Sequence, residues 1–146
     1  MRLELSSDGR YAIRALVFLA SHPERVSASV ISAETSIPRR LLARILANLS
    51  RAGLVESKPG RDGGAMLARR ASEVSLRDVV EAVEGPFQVS QCIMESRACD
   101  GSRPCVMHSA WLVAQQALLD DLARHSLDDL VRSVEAATAI ELLEAE

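Results

Sequence analysis

Apolar residues along this chain recur with a helical period far more often than they alternate. In LSSDGRYAIRALVFLASHP, Tyr11, Ala12, Ala15, Leu16, Leu19 and Ala20 recur at helical spacing, which predicts a first helix. Ser6 or Ser7 is placed to cap it, and Pro23 stops it. Ser27 caps a short second helix running to about Glu34, and TSI makes a tight turn. Pro38 suits the first turn of a third helix, where its missing N–H costs no hydrogen bond. Leu41, Leu42, Ile45, Leu46 and Leu49 form the buried stripe of that helix, and Gly53 ends it. Arg39, Arg40 and Arg44 fall largely on its other side.

The pattern then changes. LVESK and AMLARR read as two short strands flanking PGRDGG, a hairpin with a glycine-rich tip. Glycines there allow positive φ and a close approach of backbone to phosphate. Lys58 and Arg61 carry the charge of this hairpin. Two helices joined by a short turn, outward arginines on the second, and a hairpin after them predict a winged helix-turn-helix over residues 1–70.

Helical spacing returns in SEVSLRDVVEAVEG, where Ser75 is the cap, Leu76, Val79, Val80 and Val83 face inward, and Gly85-Pro86 is the stop. PCVMHSAWLVAQQALLDDLARH predicts a long helix with Ser102 as a possible cap and Val106, Trp111, Ala114, Leu118 and Leu122 on its apolar positions. SLDDLVRSVEAATAIELLEAE reads as a last, partly frayed helix. The long helix has few partners within the chain, so a homodimer would bury it. The expected architecture is mainly α with a small β-hairpin wing. Residues 71–146 form its second part, with a loop at about 88–105 and dimerisation helices.

Composition sharpens this picture. Apolar residues make up 48% of the 146-residue chain and aromatics only 3%, so the core must be built from Leu, Val, Ile and Ala. That mix favours helices. Charge is divided. Residues 1–70 carry 12 Lys and Arg against 6 Asp and Glu, a balance of +6; residues 71–146 carry 5 against 14, a balance of −9, giving −3 overall. The basic half suits double-stranded DNA, and the acidic half repels it. Neither a signal peptide nor a membrane span is expected, and the expected compartment is the cytoplasm, where thiols stay reduced.

All three cysteines lie within fourteen residues, in the order C-x6-C-x5-C-x2-H: Cys92, Cys99, Cys105 and then His108. Their neighbours in MESRACDGSRPC are polar, which argues against ordinary core cysteines. Cys105 falls at or near a helix start, whose free N–H groups suit an anionic sulfur, and His108 shares its helical face. The gaps of six and five fit structural zinc poorly, since zinc sites prefer pairs two to four apart. Three thiols on one loop suit an iron–sulfur cluster, with a thiol redox switch or zinc as the alternative. No C-x-x-C pair, phosphate loop or Ser/His/Asp set points to an enzyme.

Taken together, MRLELSSDGRYAIRAL, AETSIPRRLLARILANLSRAGLVES, GRDGG, SLRDVVEAVEG and the three-cysteine loop resemble the IscR/NsrR-type iron–sulfur regulators over about residues 1–135. The resemblance implies a bacterial, dimeric winged-helix transcription factor whose cluster responds to iron, oxidants or nitric oxide, with repression the commoner mode. It implies Cys92, Cys99 and Cys105 as ligands and the helix from about Cys105 as the dimer interface. In one branch the fourth ligand is a His three residues past the last Cys, matched by His108, and the cluster is [2Fe-2S]. In the other it is an Asp of helix 1 from the partner subunit, matched by Asp8, and the cluster is [4Fe-4S]. This sequence carries both residues.

The DNA-binding half departs from the family pattern. The tip reads Gly60-Arg61-Asp62-Gly63-Gly64-Ala65 rather than a glycine run followed by an aromatic. Ala43 stands where the IscR branch has a glutamate, and Pro59 falls near its wing arginine. Arg39, Arg40 and Arg44 are the expected groove contacts, with Lys58 and Arg61 at the wing.

Overall fold

The computed structural model describes residues 4–86, 99 and 105–144, with side chains of the last helix described as far as residue 138. Helix α1 spans Ser7–Ala20, α2 Ala28–Thr35 and α3 Arg39–Arg51; strands β1, Val55–Lys58, and β2, Gly64–Leu67, follow. After a 3-10 turn at Ala71–Glu73 come α4, Leu76–Glu84, α5, Val106–Arg124, and α6, Leu127–Glu144. The winged helix-turn-helix predicted from the pattern is the fold found. Among the described residues, no helix is long and apolar enough to cross a membrane.

Local chemistry accounts for the boundaries. The Ser6 hydroxyl accepts from the Gly9 N–H and so caps α1; Ser27 does the same for α2 with Val30. The turn into α3 has Ser36 in the left-handed region at φ 54° and the Ser32 hydroxyl donating to the Ile37 carbonyl at 2.6 Å. Ile37, 1% exposed, is thereby driven into the core. Gly53, at φ 70°, lets the Leu54 N–H turn back to the Leu49 carbonyl and closes α3.

The wing pairs Val55 with Leu67, Glu56 with Met66, Ser57 with Ala65 and Lys58 with Gly64. The second strand ends at Leu67, short of Arg69 and Arg70; the chain leaves into the 3-10 turn, where Arg70 pairs with Glu73 at 2.7 Å. Val26 adds a third strand position through two bonds with Ala65, at 2.9 and 2.8 Å. That approach needs Gly64, because a Cβ there would collide with the Val26 carbonyl, and its φ is +146°.

One core serves these elements. Ala12, Ala15, Leu16 and Leu19 of α1 meet Leu42, Ile45 and Leu49 of α3, joined by Ile31, Leu54 and Ala65. Val74, Val79 and Leu127 close it from the second half of the chain. The N-terminus of α6 is no frayed end. Ser126 and Asp129 cap each other reciprocally, and Leu127 is wholly buried. Its neighbour is α4, which starts with the same device, Ser75 with Asp78. The two starts are bridged: Leu76 N–H donates to the His125 carbonyl at 2.9 Å and Leu127 N–H to the Val74 carbonyl at 2.8 Å.

Candidate nucleic-acid interface and cysteine site

Helix α3 is strongly two-sided. Leu42, Ile45, Leu46 and Leu49 are buried, while Arg39, Arg40 and Arg44 are exposed. Lys58 and Arg61 are exposed on the wing, at the end of β1 and in the turn after it. A collision of any Gly63 Cβ with the Lys58 carbonyl makes that turn depend on glycine. Among the described residues, Arg39, Arg40, Lys58 and Arg61 make no ion pair with a carboxylate. Four uncompensated cations on one helix and one hairpin suit a polyanion.

Arg44 is different. Its Nη2 donates to both carboxylate oxygens of Asp8, at 2.8 and 2.7 Å. Asp8 lies in the first turn of α1, so this pair ties the start of α1 to the exposed side of α3. A second tie meets the same turn. The Ser6 N–H donates to Glu84 Oε1 at 2.8 Å, from the last residue of α4. Gly9 is buried beneath that carboxylate, and a Cβ on it would collide with the Glu84 side chain. Sequence reasoning misses both ties, because no local pattern signals partners 36 and 78 residues apart. It also misses Arg25, which braces the wing by donating to the carbonyls of Glu56 and Gly64.

Among the sequence-predicted ligands, Cys92 lies outside the described residues, as does Ser102, the possible cap of α5. The cap is Cys105 itself: its sulfur accepts from the His108 N–H at 3.3 Å. The His108 ring turns to the other cysteine, with Nδ1 2.8 Å from Cys99 Sγ. His108 therefore touches Cys105 through its backbone and Cys99 through its ring, and both cysteines are half-buried free thiols. Asp8 is not part of this contact; its partner is Arg44. Among the described residues, no three His, Cys, Asp or Glu side chains are gathered closely enough to hold a metal ion.

The helix that begins at this site is short of cover. Among its residues only Leu119 is fully buried. Val106 is 85% exposed and Val113 71%, and Met107, Trp111 and Leu112 are exposed as well. Among the described residues, its main packing partner within the chain is α4.

The family profile described as "Rrf2: Iron-dependent Transcriptional regulator" matches residues 5–133. The HTH-type transcriptional regulator IscR of Pectobacterium atrosepticum is 30% identical over 135 residues, spanning 91% of this chain and 82% of that protein. Among solved structures, T. potens IscR superposes with a TM-score of 0.73 at 26% identity, covering 92% of this chain and 90% of the other. CymR (YrzC), the global cysteine regulator of B. subtilis, superposes with a TM-score of 0.71 at 23% identity, covering 90% and 98%. The second structural likeness concerns the fold alone.

Proposed function

Since the chain belongs to the Rrf2 family of transcriptional regulators, and is a DNA-binding regulator rather than an enzyme, we propose that it acts as a homodimer which senses through an iron–sulfur cluster. In this reading residues 1–70 bind the DNA operator, and residues 71–146 carry the cysteine loop and the dimer helices. The observation that carries it is the junction at the start of α5. There the His108 ring contacts Cys99 and its backbone N–H donates to Cys105, at the root of a helix whose apolar side chains are exposed.

The donor set fits such a group. Thiols with an imidazole among them are soft to borderline ligands. Cys92, Cys99 and Cys105 would hold the cluster, and His108 is the fourth ligand in this proposal. Its Nδ1 already faces Cys99, whereas Asp8 is engaged by Arg44. By the family resemblance this set goes with [2Fe-2S]; the partner's Asp8 in place of His108 would go with [4Fe-4S]. When bound, the cluster supplies a link sensitive to iron, oxidants or nitric oxide.

The chain's own residues do the rest. Arg39 and Arg40 project from α3 toward the major groove, where arginine makes bidentate contacts with guanine worth about 1–3 kcal/mol of discrimination each. Lys58 and Arg61 hold the wing to the backbone or minor groove. Cys105, as the cap of α5, joins the sensing loop directly to the helix that would pair the two subunits, so a change at the loop reorients the two heads. Repression is the proposed mode.

The test is anaerobic purification with visible spectroscopy and iron and sulfide counted per chain. About two of each is the expected result, and Cys99→Ala is expected to remove the colour while the winged helix stays folded. His108→Ala should alter the spectrum where Asp8→Ala does not. A colourless chain after reconstitution with iron and sulfide points instead to a thiol or zinc switch on the same DNA-binding head.

A further inference from the structure

The Asp8–Arg44 pair joins one candidate ligand to one candidate DNA contact, and the contact is made through one nitrogen of the guanidinium. Both bidentate edges of a guanidinium, Nη1–Nη2 and Nε–Nη2, include Nη2, the nitrogen that Asp8 occupies with both oxygens. While the pair holds, the Asp8 carboxylate offsets the charge of Arg44 and engages the nitrogen common to both forks, so Arg44 offers phosphate less attraction and a base edge no unoccupied fork. Arg39 and Arg40, on the same helix, carry no such partner among the described residues. The side chain of Arg44 is 58% exposed, so only Asp8, and not burial, withholds it.

We propose that Asp8 is an autoinhibitory partner of Arg44, and that Glu84 ties this contact to the cysteine loop. Asp8 sits in the turn whose Ser6 N–H is bonded to Glu84 Oε1 and whose Gly9 packs under the same carboxylate. Glu84 ends α4, immediately before Gly85, Pro86 and the segment that bears the cysteines. A shift at the root of that loop pulls on the first turn of α1 and thereby on the carboxylate that holds Arg44. The inference rests on the reading of α3 as the DNA-contacting helix.

A double-mutant cycle tests it. DNA binding is measured by anisotropy across a salt series, with the full-length chain treated with an iron chelator, on a duplex recovered by selection from a random pool. Asp8→Asn is expected to tighten binding about threefold to fivefold, the scale of an exposed ion pair. It should also steepen the salt slope by about one, because one more phosphate contact becomes available. In an Arg44→Ala background the same substitution should change neither. Asp8→Ser, which keeps a good helix-start residue, should repeat the result if Asp8→Asn folds poorly. Glu84→Ala should tighten binding in the wild-type background and not in Asp8→Asn.

Equal binding by wild type and Asp8→Asn overturns the proposal. So does a gain that persists without Arg44, which would mark a general loss of negative charge. A Glu84→Ala effect that is unchanged by Asp8→Asn removes Glu84 from the device. Failure of the wild-type chain to bind any duplex would instead sink the DNA-contact reading itself.

Discussion

The head and the α5 segment of this chain solve the problem of apolar surface in opposite ways. In the head, α1, α3 and the wing bury Leu16, Leu19, Leu42, Ile45 and Leu49 almost completely against one another. In α5, Val106, Trp111, Leu112 and Val113 stand exposed, and one residue of nineteen is fully buried. A patch of that kind marks an interaction site rather than a finished surface. The head is thus complete as a single chain, while α5 awaits another surface, and the proposed homodimer supplies it. The difference teaches where stability and where regulation reside. The buried core centres on the head and is closed by Val74, Val79 and Leu127, whereas the proposed association would belong to the helix rooted at Cys105.

Paired substitutions can break or sharpen that contrast. The largest effect should come from the head: Leu49→Ala removes a wholly buried side chain. It should cost about 2–5 kcal/mol in urea unfolding, with no dependence on protein concentration in the head's own transition. Its counterpart, Trp111→Ala, should leave that transition nearly in place and weaken self-association by about tenfold or more in sedimentation, as loss of a hot-spot aromatic does. A Trp111→Ala chain that self-associates like wild type would remove α5 from the interface.

Gly64→Ala comes next. It puts a Cβ against the Val26 carbonyl at a φ that L-residues rarely adopt. A loss of about 1–3 kcal/mol is expected, with weaker DNA binding through a displaced wing, read by thermal melting and anisotropy.

The smallest effect concerns the α6 cap. Hydrogen bonds from the Ser126 backbone N–H and then its hydroxyl hold Asp129 below the usual aspartate range. The folded-state value is depressed, so this contribution is present above the unfolded value of about 3.9 and is lost as pH falls below it. Ser126→Ala should therefore lower the melting temperature at neutral pH and flatten its fall below about pH 4, as seen in a series of acid melts.

Legibility followed the range of the interaction. Ser27 and Ser75, and the serine pair that includes Ser6, declare themselves as caps because capping is a contact across three residues. Pro38 and Gly53 bound α3 through their own backbone restrictions. The apolar stripe of α3 is readable from spacing alone. Cys105 as its own helix cap is less so, since sulfur is a rare choice where Ser102 stands nearby. The start of α6 carried a readable signal, S-x-x-D at Ser126–Asp129, that the acidic, alanine-rich sequence after it obscures. Packing of α6 on α1 has no sequence signature, because it depends on the chain returning from α5. The same holds for Asp8 with Arg44 and Glu84 with Ser6. Each residue looks like an ordinary surface charge or helix-start group until the fold brings its partner. The cysteine spacing, by contrast, is legible in the sequence itself, and the structure adds the ring contact of His108 with Cys99 and its backbone contact with Cys105.

The bridge between the starts of α4 and α6 has a consequence of its own. Leu76 and His125 are bonded, as are Val74 and Leu127, so everything from Leu76 to His125 departs from and returns to one seam. Such a segment is a cassette. Beyond α4, whose Val79 belongs to the core, its length and its chemistry can be rewritten while both ends stay fixed at the Ser75–Ser126 bridge. What the molecule reads on DNA and what it listens for can in that way be inherited as separate words.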